Sequence, residues 1–321
     1  MNLLYALLKL PAKIAIWFYC RNIAINKKEL LQSEGPLLIA ANHPNSFLDA
    51  IIIATLFKKP VYSLARGDAF SNNFYSKILR ALNILPVYRI SEGAQNLEHN
   101  YKTFSDCIEI FKKNGVVLIF SEGRCINEWH LRPLKKGTAR LVFSSWDSGI
   151  PLKILPLGIN YSSFQKFGKN MQLNFGEMIS VDNFKYSAIS FGKDIANFNE
   201  KLNGELSQLV LEIDKNDTEI IQKKFASPIT NTRKKILTFP GLIGYATHLP
   251  LYYPVKKIAA KTTNENDHFD SVVVGLLFLA YPLYLFLIAF IIGYFIGGWW
   301  WLSVFIAMPF LAWSYLQIKR N

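Results

Sequence analysis

Residues 36–55 read PLLIAANHPNSFLDAIIIAT. The apolar run from Pro36 to Ala41 has no alternation, as expected of a strand buried on both faces. It stops at Asn42-His43. A polar turn follows, and an apolar helix pattern begins at Phe47 with Asp49 in its first turn. A histidine at a strand end, with a carboxylate a few residues on, is a usual way to mount and orient an imidazole general base. The block points to chemistry on a hydroxyl. Asp49 has a plainer role beside that one: Ser46-Phe47-Leu48-Asp49 has capping-box spacing with Asp in place of Glu, and one first turn can serve both.

The same pattern continues on either side. Strand-like runs lie at Leu37–Ala41, Val61–Ala65, Ile84–Val87, Val116–Phe120, Ile154–Ile159 and Met171–Phe175. Helix patterns fill the gaps, the clearest over Asn96–Lys113, with Leu97, Tyr101, Phe104, Ile108 and Phe111 on one face and a stop at Asn114-Gly115. This alternation predicts an α/β fold with a central mixed sheet flanked by helices. Residues 183–235 are more polar, with a surface helix expected over Glu200–Ile221.

The two ends are apolar in different ways. Residues 3–25 carry Lys9, Lys13, Arg21 and Pro11 among apolar and aromatic residues, and no small-residue cleavage site follows. This fits a membrane-associated helix at the interface, with its cations at headgroup level, better than a clean span or a signal peptide. Residues 237–259 are apolar but interrupted by Pro240, Pro250 and Pro254, as in a segment lying along a membrane or a buried loop. Ser271–Ile292 gives 22 uncharged residues, and Trp299–Leu316 a shorter uncharged stretch after a turn at Gly293–Gly298. A helix crosses the hydrocarbon with ~20 apolar residues, so a transmembrane hairpin is expected. Lys256, Lys257 and Lys261 precede it and Lys319 and Arg320 follow, while its tip carries no charge. The positive-inside rule then puts both ends and the α/β domain in the cytoplasm, at the cell membrane if the source is bacterial. The expected divisions are 1–30, 31–235, 236–265 and 266–321.

Composition narrows the classes. The chain has 321 residues, is 51% hydrophobic and carries a net charge of +13. Such a chain suits an anionic membrane surface. With no zinc-finger spacing, no RNA-binding aromatic signature and no dominant basic run, nucleic acid is not expected as a partner. Cys20, Cys107 and Cys125 form no C-x-x-C pair, which argues against a disulfide framework or a structural zinc. There is no G-x-S-x-G elbow, P-loop, G-x-G-x-x-G or H-E-x-x-H. No metal ligand set is expected.

Four blocks stand in order: Asn42-His43-Pro44-Asn45-Ser46-Phe47-Leu48-Asp49, then Asn83-Ile84-Leu85-Pro86-Val87-Tyr88-Arg89, then Phe120-Ser121-Glu122-Gly123-Arg124 continued by Leu134–Arg140, then Ile154-Leu155-Pro156-Leu157-Gly158. Together they resemble the glycerolipid acyltransferase family over about residues 36–160. That family has an N-H-x-x-x-x-D block, an I-x-P-V-x-R block, an F-P-E-G-T-R block and a V-P-V block. The resemblance implies that His43 is the general base and that Asp49 orients it. It also implies that Arg89 holds the acceptor phosphate, as a guanidinium fork suits phosphate oxygens, and that Glu122 and Gly123 shape the acceptor site. Arg66, just past the second strand, is a further phosphate candidate by position and charge. Lys135, Lys136 and Arg140 are candidates for substrate phosphate or for anionic lipid.

There are departures. Five residues separate His43 from Asp49 where the family pattern has four, so the extra residue has to bulge. Asn83 stands where glycine is frequent, Ser121 replaces proline, Arg124 stands at the threonine and Cys125 at the arginine. The expected activity is transfer of a fatty acyl group from acyl-CoA or acyl-carrier protein to a lysophospholipid, foremost 1-acylglycerol 3-phosphate, with no further cofactor. Glycerol 3-phosphate or an amino-acid lipid as acceptor, and an inactive membrane-anchored lipid-binding protein, are the alternatives. Membrane phospholipid is the expected partner. Oligomeric state is not legible.

Overall fold

The computed structural model describes residues 2–88, 95–184, 191–227 and 229–319, and of residues 95–100 the backbone alone. The expected strands form, several one to three residues longer: β2 (Leu37–Ala41), β3 (Val61–Arg66), β4 (Ile84–Val87), β5 (Val116–Phe120), β6 (Lys153–Tyr161) and β7 (Lys169–Phe175). A seventh, β1 (Cys20–Ile25), lies inside the stretch expected as a membrane anchor. It follows helix α1 (Leu3–Tyr19) and pairs parallel with β7 at the sheet edge. The helix is therefore shorter than the stretch expected to lie at a membrane, because Asn22 and the apolar residues beside it find backbone partners on β7.

The sheet order is β1-β7-β6-β2-β5-β3-β4, parallel except where β6 meets β7. It is a mixed sheet. Alternate β2 residues face opposite layers. Leu37, Ile39 and Ala41 pack with α1, α2 (Ser46–Leu56), α8 (Asn231–Thr262) and α9 (Phe269–Ile296). Leu38 and Ala40 pack with α4 (Gln95–Lys112), α5 (Gly137–Asp147) and α6 (Phe191–Leu209). A strand covered on both faces has no polar side to alternate with, which explains its uninterrupted apolar run. Between β3 and β4 lies α3 (Asn73–Ala81), and after α6 comes the short α7 (Thr218–Lys224), so the helix expected over Glu200–Ile221 is two helices with a break. On α4, Phe104, Ile108 and Phe111 face the core, but Tyr101 is exposed.

Residues 237–259 are not a loop. They belong to α8, a helix of 32 residues that runs through Pro240, Pro250 and Pro254. Each proline removes one backbone hydrogen bond. Helix-on-helix contact offsets this: α8 lies so close to α10 (Val304–Ile318) that a Cβ on Gly244 would fall 2.1 Å from the Leu311 carbonyl oxygen. Backbones approach this closely only over small residues, as in packed membrane helices.

Two helical stretches, Phe269–Ile296 and Trp300–Ile318, are long and apolar enough to cross a membrane. Only 22% of each is buried, unlike the core helix of a soluble protein. Gly297 and Gly298, both at positive φ, make the turn between them. On α1, Leu3, Leu7, Leu10, Ile14 and Trp17 form an exposed apolar stripe, and Trp17 stacks on Trp313 of α10. Two cations of this region are not headgroup contacts. Lys9 Nζ donates to the carbonyls of Phe57 and Lys58 at the end of α2, and Arg21 donates to those of Ser227 and Lys319.

Candidate active site

The central strands end together on one edge of the sheet. There the crevice beyond their carboxyl ends is the usual binding position in open α/β sheets. Asn42 closes β2 by bonding Ile159 of β6 in both directions: its amide donates to the carbonyl and its oxygen accepts from the N–H. His43 follows. Its ring stacks on Phe120, the last residue of β5, at 3.7 Å between centroids. Its Nδ1 lies 2.9 Å from Asp49 Oδ2. The Asp49 carboxylate is fully buried while the His43 side chain keeps 18% of its exposure. With Nδ1–H donated to Asp49, the other ring nitrogen, Nε2, is left as the base.

The longer spacing is absorbed by a bulge. Ser46, the first residue of α2, has φ 51°, a left-handed conformation rare for residues with a Cβ. This brings Asp49 back under His43. Asp49 also accepts from the backbone N–H of Asn45, the N-cap of α2; the capping box expected at Ser46 does not form, because Ser46 lies inside the helix and its hydroxyl bonds His268. Its second oxygen accepts from Tyr161 on β6 at 2.8 Å. Burial pushes the Tyr161 hydroxyl well above its ordinary value, with Asp49 adding to the rise, so it remains a donor.

Among the described residues, Glu122 makes no ion pair with an arginine side chain. Its carboxylate accepts from the backbone N–H groups of His43 (2.7 Å) and Arg132 (2.8 Å), pinning the loop after β5 to the loop after β2. Burial raises this carboxyl above its ordinary value, and the two amides pull it back. Glutamine keeps one acceptor oxygen and sets an NH₂ against the second amide. Glu122→Gln is therefore expected to cost about 1–3 kcal/mol of stability, measured by unfolding in detergent. The native carboxyl takes up a proton before the unfolded one as pH falls. Wild type should thus gain stability over the variant as pH drops from its raised value to the ordinary glutamate range, and level off below.

The other expected residues are more dispersed. Gly123, at φ 65°, lies against the Lys135 side chain. Arg124 and Lys135 are exposed. Arg66 stands at the end of β3 in an exposed ion pair with Asp68. Arg89 lies outside the described residues. Cys125 is not a nucleophile here: its Sγ accepts from Ser46 N–H at 2.9 Å, and burial, with Asp49 beside it, pushes its thiol well above the ordinary value. Iodoacetamide is expected to leave activity intact at pH 7.5, and Cys125→Ser to keep turnover within about threefold, since a serine oxygen accepts the same bond.

Sequence reading missed a second layer. His268, at the N-cap of α9, takes the Ser46 hydroxyl on its Nδ1 at 2.5 Å. Burial lowers its proton affinity, Asp267 opposes that, and His43 and Arg66 lower it further. Asp270, in the first turn of α9, accepts from Tyr19, Asn45 and Lys169. Lys169 in turn lies over the rings of Tyr19 and Tyr161. Burial pushes its ammonium down to about 7, while Cys20 and Asp49 oppose that loss.

Among the described residues no group of His, Cys, Asp and Glu has the arrangement of a metal site. An imidazole on a buried carboxylate, opening beyond the central strands, is equipped to remove a proton from a hydroxyl. Residues 22–160 match the family model described as Acyltransferase. Over that stretch, a little under half of its length, the chain is similar to the acyltransferase family. This stretch holds His43, Asp49, Arg66, Arg89, Glu122, Gly123, Arg124 and Lys135 together. Among solved structures, the 1-acyl-sn-glycerophosphate (LPA) acyltransferase PlsC from Thermotoga maritima is similar at 14% identity and a TM-score of 0.46, covering 70% of this chain and 81% of that one. No curated protein sequence matches this chain. Five residues separate His43 from Asp49 in this chain, where the family pattern has four.

Proposed function

We propose that the protein is an integral membrane O-acyltransferase that acylates the sn-2 hydroxyl of 1-acylglycerol 3-phosphate from acyl-CoA or acyl-carrier protein, giving phosphatidic acid. The observation that carries this reading is the His43–Asp49 pair: Nδ1 fixed on a buried carboxylate, Nε2 left for the acceptor. Nε2 removes the hydroxyl proton as the oxygen attacks the thioester carbonyl. The tetrahedral intermediate expels the thiolate, which recovers that proton from His43 as thiol. Tyr161 and Asn45 keep Asp49 in place while the imidazolium exists. The reaction needs no bound cofactor beyond its thioester donor.

Arg66 at the end of β3, Arg124 just after β5 and Lys135 just before α5 suit an acceptor phosphate, as does Arg89, which follows β4 in sequence. The apolar stripe of α1 and the two C-terminal helices would hold the site near the membrane surface, where a lysophospholipid resides. Basic residues on both flanks of the hairpin, and none at its tip, support a cytoplasmic domain.

The test is acyl transfer by the full chain in detergent, with lysophosphatidic acid, glycerol 3-phosphate and lysophosphatidylcholine as acceptors. Phosphatidic acid as the dominant product is expected. Preference for glycerol 3-phosphate would change the acceptor, and indifference to the phosphate would remove the phosphate-binding role of the arginines.

A further inference from the structure

The segment joining α8 to α9, together with the first turn of α9, meets the loop that carries His43. Its contacts fall on the stretch that holds the extra residue. His268 accepts from Ser46 Oγ at 2.5 Å, Asp270 from Asn45 Nδ2 at 2.6 Å, and Ser271 Oγ from Leu48 N at 3.2 Å. Cys125, itself bonded by Ser46 N–H, has its Sγ 4.0 Å from the Asp267 carbonyl oxygen.

Asn45 is the joint between the two parts. Its backbone N–H donates to Asp49 Oδ2, the oxygen that also faces His43 Nδ1. Its side chain caps no helix and donates to Asp270. An amide that donates to a carboxylate must turn its own oxygen away, and Asn45 Oδ1 is buried with no hydrogen-bond partner among the described residues. A buried polar atom left unsatisfied opposes this orientation, so the carboxylate of Asp270 sets it. Asp270 is itself fully buried and held from two further sides, by Tyr19 of α1 and Lys169 of β7.

We propose that Asp270 is a positioning residue for the His43–Asp49 pair, acting through Asn45. The first turn of the apolar hairpin is then part of the active-site framework as well as part of an anchor. The longer His43–Asp49 loop is held in register by α9. The proposal rests on the acyltransferase reading for its kinetic consequence alone; its structural consequence stands without it.

The experiment uses the full chain in detergent with ¹⁵N-labelled histidine. The His43 Nδ1–H proton is assigned by its loss in His43→Gln, with Asp49→Ala as the reference for a broken pair. Asn45→Ala cuts the joint and leaves the Lys169–Asp270 pair in place. Asp270→Asn combined with Lys169→Met removes the carboxylate without leaving a buried charge unpaired. Wild type should show a slowly exchanging downfield Nδ1–H signal. In both variants the signal should be lost or move to the Asp49→Ala position, and kcat should fall roughly 10- to 100-fold with KM for the acyl donor nearly unchanged. An Nδ1–H signal unchanged from wild type in Asn45→Ala, while Asp49→Ala loses it, overturns the proposal. If the double variant does not fold, Asn45→Ala decides alone. A wild type that transfers no acyl group would sink the acyltransferase reading, and the signal would still decide the role of Asp270.

Discussion

His43→Ala is expected to lower kcat by about 10²–10⁴-fold, the usual contribution of a positioned general base. KM for the acyl donor should change little, since His43 touches the hydroxyl proton rather than the thioester carrier. The fold should persist. The His43 ring packs on Phe120 and keeps 18% exposure, so its removal opens a shallow space at the crevice rather than a cavity in the core. Steady-state transfer with circular dichroism on the same sample checks both halves. Loss of turnover with loss of helical signal would instead make His43 a structural residue.

Lys169→Met is expected to have the largest effect on stability. Lys169 and Asp270 are both fully buried, and removing one partner leaves a carboxylate in an apolar layer. Broken buried pairs of this kind cost about 3–5 kcal/mol. Tyr19 and Asn45 still donate to Asp270, which keeps the loss from growing larger. Adding Asp270→Asn removes the stranded charge, so the double variant should recover most of the loss. Unfolding midpoints of wild type, the single variant and the double variant test this. A single variant as stable as wild type would show that the Lys169–Asp270 contact contributes nothing net to stability.

Much of this arrangement was legible in residue order. A strand covered on both faces must be apolar throughout, and β2 and β5 therefore stood out. His43 and Asp49 were legible because both lie at the end of one such run. The pairs that support them were not. Lys169 meets Asp270 across 101 residues and Asn45 meets it across 225. Nothing local marks such a contact, although a carboxylate opening an otherwise uncharged helix, as Asp270 does, is a signal worth following: an ion there has to find a partner. Strand β1 was obscured because its apolar residues continue the apolar face of α1. Helix α8 was obscured by three prolines that close packing on α10 tolerates. Glu122 was legible as a site residue, but its partners are backbone amides, which sequence does not display.

The measurement that tests the central claim most directly is labelled acyl transfer to lysophosphatidic acid by wild type and Asp49→Ala, side by side. The bulge at Ser46 brings Asp49 back to His43 despite the longer spacing, so wild type should form phosphatidic acid and Asp49→Ala should do so at a kcat lower by about 100-fold, with similar KM. A folded wild type that acylates no acceptor, or an Asp49→Ala that matches it, would contradict the account.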